Sequence, residues 1–139
     1  MCGIFSFFGN NKSEDLEEIR GKFLELSKRL RHRGPDWNGI YVNNGKKVVI
    51  CHERLSIVGV ENGSQPIVID DRFILSVNGE IYNHSALYTT ALHNKYKPVT
   101  QSDCEVIIYL YKEFGIQGVK MLDGIFSFVL YDKEENKIF

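Results

Sequence analysis

Met1-Cys2-Gly3-Ile4-Phe5-Ser6-Phe7-Phe8-Gly9 opens the chain. Residues 2–9 are small or apolar almost throughout and read as a buried strand that starts at the first atoms of the polypeptide. A domain built this way carries its leading residue in a sheet, and that residue is a cysteine. With Met1 removed, Cys2 holds a thiol and a free α-amine whose ordinary pKa is about 8. Nucleophile and proton acceptor then sit in one amino acid, the logic of N-terminal-amine catalysis. Position alone leaves the plainer alternative open, a small residue opening a strand.

Working outward, Asn10-Asn11-Lys12 reads as a turn and residues 14–30 as an amphipathic helix. Leu16, Ile19, Phe23, Leu26 and Leu30 form its apolar face, and Ser13 is its predicted N-cap. Arg31-His32-Arg33-Gly34-Pro35-Asp36 breaks the helix. Strands near 39–43 and 47–53 follow, joined by a hairpin signal at Asn43-Asn44-Gly45-Lys46. Residues 61–66 read as a loop, Asp70-Asp71 as a second hairpin turn, and 73–78 as a strand running into Gly79. A helix is predicted over 84–95 with Leu87, Ala91 and Leu92 as its stripe. Ser102-Asp103-Cys104-Glu105 has the capping-box pattern and opens a further helix, which buries Val106, Ile107, Leu110, Tyr111 and Phe114 and stops at Gly115. Residues 124–132 read as a strand, 133–136 as a turn, and 137–139 as the start of another strand. Strands in hairpins with interspersed helices predict an α+β layered fold with mainly antiparallel sheets.

Composition narrows the function. Apolar residues at 43% and charged residues at 25% describe an ordinary globular domain. A net charge of −1 gives no electrostatic footprint for nucleic acid or an anionic membrane. No apolar run is long enough to span a bilayer, and the N-terminus lacks the features of a secretory signal. Three cysteines, Cys2, Cys51 and Cys104, suit a reduced cytoplasmic setting rather than a disulfide framework. No CxxC or clustered His/Cys pair suggests a metal, and Cys51 and His52 are strand neighbours that point to opposite faces.

Several segments, in order, then carry a resemblance. They are Met1-Cys2-Gly3-Ile4-Phe5, Arg31-His32-Arg33-Gly34-Pro35-Asp36, His52-Glu53-Arg54-Leu55-Ser56-Ile57-Val58 and Val77-Asn78-Gly79-Glu80-Ile81-Tyr82-Asn83-His84. Ser102-Asp103-Cys104-Glu105-Val106-Ile107 and Leu122-Asp123-Gly124-Ile125-Phe126-Ser127-Phe128 complete the series. Together they resemble the N-terminal glutaminase domain of glutamine-dependent asparagine synthetase, a class II glutamine amidotransferase of the N-terminal-nucleophile (Ntn) hydrolase fold. The resemblance covers nearly all of residues 1–139. It implies an αββα sandwich, two mainly antiparallel sheets between helix layers. Ser6 stands where the family commonly has Gly. The family's continuation beyond position 139 and its pyrophosphate-binding synthetase loop are not in this sequence, so the expectation is a C-terminally incomplete domain without its synthetase domain.

The resemblance also implies roles. Cys2 is the nucleophile that forms a thioester, and the Asn78 side chain with the Gly79 N–H forms the oxyanion hole. Arg54 and the main chain of Leu55, Ser56, Ile57 and Val58 hold the glutamine α-carboxylate, and Asp103 and Glu80 hold its α-ammonium. A guanidinium fork suits a carboxylate as a lysine does not. Each residue has a plainer reading as well. Asn-Gly is a hairpin signal, a lone Arg after a strand is a surface charge, and Asp103 suits a helix start. His32, Arg33 and Asp36 are expected in a supporting loop near the nucleophile. Phe5, Phe7, Phe8, Phe126 and Phe128 are expected in the core, and Cys51 and Cys104 as inert thiols.

The implied substrate is L-glutamine, with no cofactor or metal for its hydrolysis. ATP and Mg belong to the absent synthetase domain or a separate synthetase subunit, which would use the ammonia to make asparagine from aspartate. A homo-oligomer is a further possible partner arrangement. Two rivals stand beside this reading: a non-catalytic regulatory or assembly module of a synthetase, and a metal protein using Cys2, Cys51, His52 and Cys104.

Overall fold

The computed structural model describes residues 2–9, 16–55 and 64–139. Its organising strand is β3, Val48–Arg54, buried at every residue. β3 pairs antiparallel with β1 (Gly3–Phe8) on one side and with β2 (Trp37–Asn43) on the other. Successive side chains of a strand face opposite ways. Val49 and Cys51 therefore pack against Ile19 and Phe23 of helix α1 (Leu16–Lys28), while Val48 and Ile50 meet Ile74 and Tyr131 of a second sheet. Burial on both faces is why Val48-Val49-Ile50-Cys51 is an unbroken apolar run.

The second sheet has the order β4-β5-β6-β7. Its strands are β4 (Ile67–Ile69), β5 (Phe73–Ile81), β6 (Gly124–Asp132) and β7 (Lys137–Ile138), all antiparallel. One face meets the first sheet. The other carries Phe73, Leu75, Val77 and Ile81 into a core shared with Leu87 of helix α2 (His84–Thr89) and with Val106, Ile107 and Leu110 of helix α3 (Val106–Phe114). The layers run α1, first sheet, second sheet, then α2 with α3. This is the α+β class with two antiparallel sheets expected from the sequence.

Polar groups between the layers fix their alignment. Ser27 Oγ of α1 donates to Glu53 Oε1 at 2.7 Å, both side chains being buried. His52 Nδ1 and Ser76 Oγ are hydrogen-bonded across the two sheets at 2.7 Å. Burial and the nearby Arg54 charge push the His52 pKa down to about 4, so it stays neutral there. Cys51 and His52 do point to opposite faces. The Asp70-Asp71 turn is also present, with φ of 56° and 50°, the left-handed pair that a tight hairpin requires.

Several elements differ from their sequence expectations. The predicted N-cap Ser13, the turn at 10–12 and part of the 61–66 loop lie outside the described residues. Helix α1 ends at Lys28 rather than residue 30, because the next turns close with three-residue bonds, such as Leu30 N to Ser27 O at 2.8 Å. Helix α2 stops at Thr89 rather than 95. The Thr89 and Thr90 hydroxyls both donate to Ala86 O at 2.9 Å, and His93 and Asn94 take positive φ. β-branched residues that bond back to their own backbone are poor helix interiors. Leu87 and Leu92 are buried all the same. Residues 103–105 form a 3-10 turn, and Ser102 Oγ caps Cys104 N at 3.3 Å. The capping box does not close. Glu105 instead receives Val99 N, Thr100 N and Thr100 Oγ1 at 2.6–2.7 Å. Gly115–Met121, unassigned in the sequence reading, is a 3-10 helix. Phe5 and Phe7 lie against Phe23, but Phe7, Phe8 and Phe114 are exposed rather than core.

Candidate active site

β1 lies antiparallel to β3 with Gly3 opposite Glu53, so Cys2 falls beside Arg54 at the end of the sheet. The Cys2 main-chain nitrogen donates to Asn78 Oδ1 at 2.8 Å. Because that nitrogen is a donor, the Asn78 amide oxygen must face it, and the Asn78 NH2 is left for another acceptor. The Cys2 sulfur sits against the Leu55 main chain. Leu55 N donates to Sγ at 3.4 Å, and Leu55 O accepts from the thiol at 3.7 Å. Arg33 Nε donates to Cys2 O at 3.1 Å. Cys2 is thus held at its nitrogen, its carbonyl and its sulfur.

Asn78 and Gly79 do not form a turn. β5 runs through them, paired Asn78 to Ser127 and Gly79 to Phe126. Gly79 has φ of 148°, and a Cβ there would lie 2.0 Å from Ile125 O. Glycine is required at this point. Local sequence reads as a hairpin; the long-range partner β6 makes it strand.

These residues open onto a cleft of about 290 Å³ lined by Cys2, Arg54, Leu55, Asn78, Gly79, Glu80 and Asp103, among others. That is the scale of a single small metabolite. Arg54 is the last residue of β3 and is only 6% exposed, so it is no surface charge. Asp103, 8% exposed, accepts from Ile81 N at 2.6 Å, which ties the 3-10 turn to the end of β5. A buried cation and a buried carboxylate in one small cleft match a free amino acid, which carries both charges. Of the sequence-predicted site residues, the structure brings together Cys2, Arg54, Leu55, Asn78, Gly79, Glu80 and Asp103. Ser56, Ile57 and Val58 lie outside the described residues.

The cleft also holds residues that the sequence reading did not single out: Gln65, Tyr82, Ser102 and Ile125. Ile125 arrives by its pairing with Glu80, which no local pattern announces. Gln65 Oε1 accepts from Val77 N at 2.6 Å. Leaving such a buried N–H unpaired costs about 1–3 kcal/mol. The supporting loop is split: Arg33 reaches Cys2, whereas His32 is exposed and its Nδ1 contacts Arg29 O at 3.1 Å. Asp36 N donates to Arg54 O at 3.0 Å.

The other two thiols are in different surroundings. Cys51 lies in the core under α1, where burial and the Glu53 charge push its pKa up to about 12. Cys104 lines the cleft but is 2% exposed, its Sγ donating to Gly79 O at 3.8 Å; burial and the Asp103 charge push its thiol up. Thiolate is the reactive form, so both are poor nucleophiles. Among the described residues no three His, Cys, Asp or Glu side chains converge to hold a metal ion, and no helix is long and apolar enough to cross a membrane.

The fold is that of an amidotransferase domain. Glutamine phosphoribosylpyrophosphate amidotransferase from B. subtilis superposes with a TM-score of 0.68 over 94% of this chain and 35% of that one, at 21% identity. Residues 1–139 match the glutamine amidotransferase domain family along their whole length, and the chain belongs to that family, in its class II branch. A probable glutamine-hydrolyzing asparagine synthetase of Schizosaccharomyces pombe is 53% identical over 139 residues, covering 99% of this chain and 24% of that protein. Asparagine synthetase B of Escherichia coli is 47% identical over 137 residues, covering 98% and 24%. The chain spans about a quarter of the length of the curated relatives it matches.

Proposed function

We propose that this domain hydrolyses the side-chain amide of L-glutamine to glutamate and ammonia through a thioester on Cys2. The observation that supports the reading is the 2.8 Å bond from the Cys2 main-chain nitrogen to Asn78 Oδ1, at a cleft whose size suits an amino acid. With Met1 removed, the Cys2 α-amine takes the thiol proton, directly or through one water. The sulfur attacks the amide carbon. The oxyanion that forms is met by Asn78 NH2 and the Gly79 N–H, donors aimed at charge present only in the transition state. The α-ammonium returns its proton to the departing ammonia. Water, activated by the same amine, then releases glutamate from the thioester. Arg54 and the Leu55 to Val58 segment hold the substrate α-carboxylate; Asp103 and Glu80 hold its α-ammonium. Every step uses groups of this chain, and none needs a cofactor.

The names of the relatives extend the proposal. The ammonia would be consumed by a synthetase domain or subunit that makes asparagine from aspartate with ATP and Mg. Three free thiols fit a cytoplasmic setting.

Intact mass spectrometry with the glutamine-like electrophile diazo-oxo-norleucine tests the reading. The expected result is loss of Met1 and one adduct, located on Cys2. Adducts on Cys51 or Cys104 alone would overturn it. Arg54→Lys tests the carboxylate clamp. Losing the charge-assisted fork raises the KM for glutamine about 10- to 100-fold, with kcat and the thermal midpoint little changed. An unchanged KM would remove Arg54 from the substrate site.

A further inference from the structure

Gln65 has a place in this site that its sequence context does not suggest. β4 begins at Ile67, paired with Leu75 of β5, so by register Gln65 falls opposite Val77. The main-chain ladder has ended there, with Pro66 between. Val77 is 1% exposed, and its N–H still needs an acceptor. The Gln65 side chain supplies it, Oε1 accepting at 2.6 Å in place of a β4 carbonyl. Gln65 is fixed from the other side as well. Its own carbonyl lies so close to β2 that a Cβ on Gly39 would sit 1.9 Å from it. The residue is wedged between the two sheets, one peptide from Asn78, whose side chain holds the Cys2 nitrogen.

We propose that Gln65 is a positioning residue for the hydrolysis: its side-chain carbonyl fixes the Ser76–Val77 peptide, immediately before Asn78, and so keeps the Asn78 donor in reach of the oxyanion. This rests on the glutaminase reading of the cleft. Without the acceptor, β5 shifts to find another partner for the Val77 N–H, and a catalytic donor displaced by about 1 Å can cost about 100-fold in rate. Gln65 also lines the cleft, and its amide nitrogen has no protein partner among the described residues. The competing role is therefore a direct grip on substrate, and the two roles separate in the kinetics.

Gln65→Met removes the acceptor; Gln65→Glu keeps it with the same shape. Positioning lowers kcat for glutamine about 10- to 100-fold in Gln65→Met with KM within about threefold, and leaves kcat within about threefold in Gln65→Glu. Alkylation of Cys2 by iodoacetamide, which forms no oxyanion, proceeds at the wild-type rate in both. Wild-type kcat in Gln65→Met, a Gln65→Glu as slow as Gln65→Met, or changes confined to KM would each overturn the proposal. Should Gln65→Met not fold, the isosteric Gln65→Glu still decides, since collapse of its kcat in folded protein contradicts the acceptor role. A wild-type chain that releases no ammonia sinks the underlying reading and this one together. An active wild type with an equally active Gln65→Met sinks this inference alone.

Discussion

Cys2→Ala is expected to lower ammonia release from glutamine by at least about 10⁴-fold while glutamine still binds. The size of the loss follows from the absence of a substitute nucleophile. Cys51 faces α1 on the opposite side of the first sheet from His52 and has its pKa pushed up to about 12. At pH 7 such a thiol is thiolate in only about one molecule in 10⁵. Cys104 lines the same cleft, but it is buried, it donates to Gly79 O, and burial and Asp103 push it the same way. Binding is expected to survive because Arg54 and Asp103, the proposed clamps on the substrate, are untouched. A coupled glutamate assay on Met-processed protein, with calorimetric titration of glutamine, measures both quantities. A residual rate above about one per cent of wild type would exclude Cys2 as the nucleophile.

Asn78→Ala carries the second-largest effect, a fall in kcat of about 10²- to 10³-fold, equivalent to about 2.7–4 kcal/mol of barrier, at nearly constant KM. Two losses combine here. The amide donor to the oxyanion is gone, and so is the acceptor that holds the Cys2 nitrogen at 2.8 Å. Asn78→Asp separates them, because a carboxylate keeps the acceptor and has no N–H. Steady-state kinetics should find Asn78→Asp nearly as slow as Asn78→Ala. An aspartate variant near wild-type kcat would show that Asn78 only anchors the N-terminus.

Much of the framework was legible where local pattern and long-range pairing agree. Gly124–Asp132 is a strand with the predicted bounds because a turn follows it and β5 takes its whole length. Asp70-Asp71 turns because both residues tolerate positive φ and apolar strands flank them. Local pattern and structure part where distant partners override local preference. Glu105 has the spacing of a capping-box residue, yet the Val99–Thr100 amides claim its carboxylate. The apolar stripe of 84–95 is real, but only six residues of it are helix. In the site, the recognised motifs supplied Cys2, Arg54, Asn78, Gly79, Glu80 and Asp103, since each stands in a string of family text. In the sequence Gln65 reads as part of a loop. Its task depends on where β4 stops, which no periodicity encodes.

The passage of β5 straight through Asn78 and Gly79 has a consequence for turnover. In many enzymes the groups that greet a developing negative charge ride on mobile loops, and part of the binding energy is used to order them. Here they sit on a strand nine residues long that is paired with β6 along its whole length. Their alignment is settled when the sheet forms, so under the proposed hydrolysis the electrostatic welcome for the substrate would be ready before the substrate arrives.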